Sequence, residues 1–201
     1  MDEPVRGGLM VKETTKHILE NVEKILAGVN QEDAKRFIDK IVHSKNIFLT
    51  GAGRSGLVAK AFAMRLMHLG FNVYVAGETI TPSVKPEDLV IAISGSGKTI
   101  STLTVAQTAK KYGTGVVCIT SFEDSPLARV SDCIVKIRGR ESLLSNDYTS
   151  RQLIGEHEPL TPLGTLFELS SMVFLDSVIT ELMKICNKRE KDLREKHANL
   201  E

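Results

Sequence analysis

Residues 46–56 read Asn46-Ile47-Phe48-Leu49-Thr50-Gly51-Ala52-Gly53-Arg54-Ser55-Gly56, a short apolar run that ends in a glycine-rich turn. Behind it Val58, Phe62, Leu66 and Leu69 recur on one helical face. The order is strand, glycine turn, helix, and it recurs downstream. Asn72–Ala76 and Leu89–Ile93 read as strands, and a helical pattern from about Thr99 to Tyr112 follows the second. Gly115–Thr120 and Cys133–Ile137 complete a set of five, and between them Ser125-Pro126 pairs an N-cap with proline at the first helical position of a short helix. Strands that alternate with helices predict an α/β fold: a three-layer αβα sandwich with a five-stranded parallel sheet covered on both faces.

Working outward, Ile18, Val22, Ile25 and Leu26 keep helical spacing over Thr14–Ala27, and Phe37, Ile38, Ile41 and Val42 repeat it after Asn30. Arg138–Leu163 has no convincing period and contains Gly155, Pro159 and Pro162, so it reads as a long loop, suspected of acting as a lid. A strongly apolar helix over about Thr165–Cys186 and a charged segment over Asn187–Glu201 close the chain. A length of 201 residues suits one domain. The expected division is N-terminal helices at 14–44, an α/β core at 45–186 and a C-terminal helical tail at 187–201.

Composition narrows the function classes. Hydrophobic residues at 42% and charged residues at 25% are those of an ordinary globular protein, and no run is long enough to span a bilayer. The 26 basic and 25 acidic residues nearly cancel, which argues against a dedicated nucleic-acid binder. Cys118, Cys133 and Cys186 are widely spaced without a C-x-x-C pair and read as reduced core thiols of a cytoplasmic protein. Residues 1–11 lack the apolar stretch of a secretory signal, so no export is expected. The five histidines show no ligand spacing and imply no metal; helix-surface or solvent roles are expected of His17, His43, His68 and His157.

Two loops carry the chemistry. Gly51–Gly56 matches G-x-G-x-x-G between a strand and a helix, and Glu78 stands where a ribose-binding acid would, so a dinucleotide site competes with a merely tight turn. Ser94-Gly95-Ser96-Gly97-Lys98-Thr99 follows the strand ending at Ile93 and opens the next helix. Its glycines admit close backbone approach, its amides point outward at a helix start, and Ser94, Ser96 and Thr99 add hydroxyl donors around an anion. This is a phosphate cradle. It is not a nucleotide P-loop, because that motif needs a glycine where Ala92 lies within the strand. Thr165-Leu166-Phe167-Glu168 fits a T-x-x-E capping box, in which Glu168 only satisfies backbone donors. A carboxylate in a first helical turn beside a cleft is also a candidate general base, and spacing leaves both roles open.

Taken together, the two loops and Thr161-Pro162-Leu163-Gly164-Thr165-Leu166-Phe167-Glu168 resemble the sugar isomerase (SIS) domain family along nearly the whole chain. Met64–Phe71, Gly77–Pro82 and the ending His197–Glu201 are similar, more narrowly, to the 6-phospho-3-hexuloisomerases. The resemblance implies a flavodoxin-like SIS fold and cofactor-independent interconversion of D-arabino-3-hexulose 6-phosphate and D-fructose 6-phosphate, the ribulose monophosphate pathway step that follows formaldehyde capture or runs in reverse. It implies that Gly53, Arg54, Ser55, Ser94, Gly95, Ser96, Gly97, Lys98 and Thr99 bind the sugar phosphate. It implies too that Glu168 is the base, and that His197 completes a site shared between subunits of a homotetramer. The alternatives are an arabinose 5-phosphate isomerase, in a family that usually appends regulatory domains, or a non-catalytic sugar-phosphate sensor, which a DNA-binding domain usually precedes.

Overall fold

The computed structural model describes residues 11–139, 164–197 and 199. Its elements in chain order are α1 (Val11–Ala27), α2 (Gln31–His43), β1 (Ile47–Gly51), α3 (Gly53–Leu69), β2 (Val73–Val75), β3 (Leu89–Ile93), α4 (Ile100–Lys111), β4 (Gly115–Thr120), α5 (Pro126–Val130), β5 (Cys133–Lys136), α6 (Thr165–Ile185) and α7 (Glu190–Arg194). The expected α/β architecture is present: a five-stranded, wholly parallel sheet with helices on both faces. Element ends move by a residue or a few, and within the tail expected to be helical over 187–201 the helix is the short α7.

Period-two alternation builds the two cores. Ile47, Leu49, Ile91, Ile93, Val117 and Ile119 face one side, where Phe37 and Ile41 of α2, Phe62 and Leu66 of α3 and Phe174 and Val178 of α6 cover them. Phe48, Val90, Ala92, Val116 and Cys118 face the other side, against Ala106 and Ala109 of α4 and Leu127 and Ala128 of α5. Because both faces are covered, β3 at the centre of the sheet is buried at every residue. Asn30 starts α2 by accepting from the amides of Glu32 and Asp33 at 2.8 and 3.2 Å. Ser125 starts α5 by accepting from the Ala128 amide at 3.3 Å, as the Ser-Pro pair predicts.

The strand order β2-β1-β3-β4-β5 reverses direction between β1 and β3, which pair from Ile47↔Leu89 to Gly51↔Ile93. A reversal of this kind leaves a crevice beyond the carboxyl ends of the two strands. The two glycine-rich loops leave β1 and β3, so the topology brings them side by side. Of the loop Arg138–Leu163 suspected of acting as a lid, residues 140–163, His157 among them, lie outside the described residues.

Candidate functional site

At that crevice is a cleft of about 230 Å³ lined by Ala52, Gly53, Arg54, Ser55, Ile93, Ser94, Gly95, Ser96, Thr99, Phe167 and Glu168. Three helices start here: α3, α4 and α6. None of them has a side-chain hydrogen bond at its N-cap, whereas α2 and α5, which start elsewhere, are both capped by side chains. Neither α3 nor α4 carries an acidic residue in its first turn. The positive ends of these helices therefore face the cleft with amide donors still free, which suits an anion.

The second loop is held rigidly by its own hydroxyls. Ser94 Oγ accepts from the Gly97 amide at 3.2 Å and lies 3.0 Å from Thr99 Oγ1, while Ser96 Oγ accepts from the Lys98 amide at 3.2 Å. With an oxygen lone pair already engaged by the backbone, the Ser96 hydroxyl keeps its proton for a ligand. Gly97 has φ +60, and a Cβ there would run into the Ser125 side chain; its carbonyl accepts from the Leu127 amide at 3.0 Å. Gly97 thus fastens the loop to the start of α5 rather than facing the cleft. Lys98 is exposed and does not line the cleft either.

Across the cleft, the Arg54 Nε donates to Glu168 Oε2 at 2.5 Å. The Glu168 side chain is 11% exposed and the Arg54 side chain 60%, so the carboxylate is nearly withdrawn from water beneath a guanidinium that reaches it. The capping-box expectation for Glu168 is corrected. The N-cap of α6 is Gly164, which has no side chain to take part, and Thr165 is already inside the helix. One residue of displacement removes the box and frees the carboxylate to pair with Arg54.

Of the predicted site residues, Gly53, Arg54, Ser55, Ser94, Gly95, Ser96, Thr99 and Glu168 come together, and Gly97 and Lys98 support the loop from behind. His197 does not join them within its own chain. It stacks on His68 with ring centroids 5.2 Å apart, at the far end of α3 from Arg54, across roughly 21 Å of helix. His68 is itself a correction, because it is buried at 4% exposure rather than a helix-surface residue. Burial first, then His197 and Arg65, hold its pKa below the ordinary 6.5. Phe167, fully covered at the cleft wall beside Glu168, was missed, its only sequence signal being that adjacency.

Other features of the sequence take structural places. Glu78 pairs with Lys60 at 2.6 Å and does not reach the cleft, and Gly51 and Gly56 lie so close that a Cβ on either meets the other's turn at 2.8 Å. The G-x-G-x-x-G match is accounted for by close packing of strand end and helix start. Cys118 and Cys133 are buried thiols and Cys186 is half-buried; burial above all pushes Cys118 up to about 12, which leaves it inert. Among the described residues no His, Cys, Asp and Glu cluster is arranged to hold a metal ion, and no helix is long and apolar enough to cross a membrane.

Comparison with known proteins adds to this geometry. Residues 40–150 match the SIS domain. A protein of Bacillus subtilis named 3-hexulose-6-phosphate isomerase is 38% identical over 189 residues, covering 94% of this chain and 98% of its own. The chain belongs to the SIS domain family. Within the family, a crystal structure of a Methanococcus jannaschii protein, for which a 3-hexulose-6-phosphate isomerase function was inferred, superposes with a TM-score of 0.76 at 35% identity, covering 96% of this chain and 100% of that one. With relatives of that name along nearly its whole length, this SIS protein is an isomerase. The fold itself is shared more widely. The sugar isomerase domain of the RpiR transcription factor from Sphaerobacter thermophilus superposes with a TM-score of 0.67 at 18% identity, covering 92% of this chain and 97% of that one. The SIS architecture alone does not separate enzyme from regulator, and the side chains of the cleft must.

Proposed function

We propose that this isomerase acts on a sugar phosphate and interconverts D-arabino-3-hexulose 6-phosphate and D-fructose 6-phosphate in the ribulose monophosphate pathway. The observation that carries the reading is the shielded Glu168 carboxylate, paired with Arg54, standing opposite a hydroxyl-lined helix start. A binding module needs the cradle alone; a withdrawn carboxylate beside a cation is what proton transfer next to a carbonyl requires.

In this mechanism the loop Ser94–Thr99 takes the phosphate through the amides of Gly95, Ser96 and Thr99, which the loop's own hydrogen bonds leave free, and through its cleft-lining hydroxyls, with Gly53 and Ser55 on the facing helix start. Glu168 removes the proton from C2, and the C–H electron pair forms the C2–C3 double bond of an enediol. The charge that gathers on O3 is met by Arg54. As the C2 carbonyl forms, the O2 proton passes to O3, which becomes the C3 hydroxyl, and Glu168 returns its proton to C3. No electron is lost or gained, so the chemistry requires no redox cofactor. His197, remote from its own cleft, serves a neighbouring subunit's site in this reading, moving hydroxyl protons within a homotetramer of single-domain chains.

A coupled assay that offers 3-hexulose 6-phosphate and arabinose 5-phosphate side by side tests the substrate. Turnover of the hexulose phosphate alone is expected. Preference for the pentose phosphate, or turnover of neither, contradicts the reading.

A further inference from the structure

The Glu168 carboxylate lies over Gly164, the residue that starts α6. Gly164 has φ +91, and a Cβ built on it would stand 2.9 Å from Glu168 Oε1, 3.3 Å from Cδ and 3.4 Å from Oε2, these being its three nearest atoms. The space a side chain would fill is thus the space the carboxylate occupies. On another side, the backbone of Gly139 lies flush against Phe167 and Leu166, so that even a Cβ on Gly139 would run into the first turn of α6. The helix start is hemmed in, so a group added at 164, besides straining a backbone at φ +91, meets the flexible end of Glu168 first.

We propose that Gly164 is a positioning residue for Glu168: its bare Cα sets where the carboxylate oxygens stand beside Arg54. The inference rests on Glu168 being the base. Gly164 does not line the cleft and is separate from the phosphate cradle, so its effect falls on the chemical step and not on binding. A displacement of about 1 Å at a reacting group costs about 10²-fold in rate, and moving the carboxylate off Arg54 is a change of that size.

The test is a cycle of Gly164→Ala, Glu168→Gln and the double variant in the full chain, with kcat and KM for 3-hexulose 6-phosphate and calorimetric binding of fructose 6-phosphate. Gly164→Ala is expected to lower kcat about 10²-fold while KM and product affinity stay within about threefold. In the Glu168→Gln background it is expected to add nothing, because the group it acts through is already gone. An unchanged kcat overturns the proposal. So does an equal loss in the Glu168→Gln background, or a matching loss of fructose 6-phosphate affinity, since Gly164 then shapes the helix start and not the carboxylate. Full activity of Glu168→Gln by itself removes the base assignment and this proposal with it, an outcome visible without any change at 164. If Gly164→Ala does not fold, Gly164→Asn carries the same Cβ on a residue that tolerates positive φ, and the same outcomes decide.

Discussion

The Arg54 Nε and Glu168 Oε2, 114 positions apart in the chain, meet at 2.5 Å and join the first turn of α3 to the first turn of α6 in the lining of the cleft. The pair is asymmetric. Its acid is nearly covered and its base mostly open to solvent, so its contribution to stability is small, within about 1 kcal/mol, and its value lies in fixing the carboxylate.

Ser96 stands mid-cradle with its oxygen held by the Lys98 amide at 3.2 Å. Ser96→Ala removes a hydrogen bond to a charged phosphate, worth about 1.5–3 kcal/mol, and should raise KM about 10- to 150-fold with kcat little changed. Steady-state kinetics checks this, and an unaltered KM removes the second loop from the site.

A ligand that binds only the folded state raises the melting temperature. Calorimetric scans should show a rise with fructose 6-phosphate and none with NAD(H) or NADP(H), because Glu78 is engaged by Lys60 away from the cleft. Stabilisation by a nicotinamide cofactor alone contradicts the sugar-phosphate assignment.

His68 lies beneath His197, with Arg65 one helical turn back and Lys196 beside Gly70. A histidine whose pKa is lower folded than unfolded contributes stability that is complete above the ordinary 6.5 and is lost as pH falls from there through the folded value. Hydrogen-exchange protection at residues 190–197, the observed rate relative to the intrinsic one, should therefore fall below about pH 6.5, and His68→Phe, which cannot be protonated, should abolish that dependence. A flat profile in the unaltered protein contradicts the stack.

His197 can serve catalysis only from another subunit if its own chain keeps it at the far end of α3. Glu168→Gln and His197→Ala, each inactive alone, should on co-refolding in equal amounts recover about a quarter of full activity, since half the pairs are mixed and each mixed pair has one intact site. No recovery, with mixed oligomers confirmed by mass spectrometry, removes the shared-site reading.

Much of this was legible in the residues. The sheet could be read because each strand is an apolar run bounded by turn residues, and the place of Ser94–Thr99 at the cleft because it combines hydroxyls with glycines at a strand-to-helix junction. Whether Glu168 is a cap was not, since T-x-x-E fits either a cap or a free carboxylate; the helix start at Gly164 removes the cap, and spacing does not fix a boundary to one residue. Nor did hydropathy show that the chain reverses between β1 and β3, which is what sets the two loops side by side. His68 was misjudged because its ring is stacked on by His197, from a tail whose path over α3 no periodicity shows.

The central claim is that Glu168 moves the proton, and Glu168→Gln assayed with 3-hexulose 6-phosphate in deuterium oxide tests it most directly. The unaltered protein should form fructose 6-phosphate carrying deuterium at C3, and the variant should lose both turnover and exchange by about 10²–10⁴-fold while its melting temperature stays close to that of the parent. Turnover that survives in the variant, with label still entering at C3, would contradict the account and place the base elsewhere in the cleft.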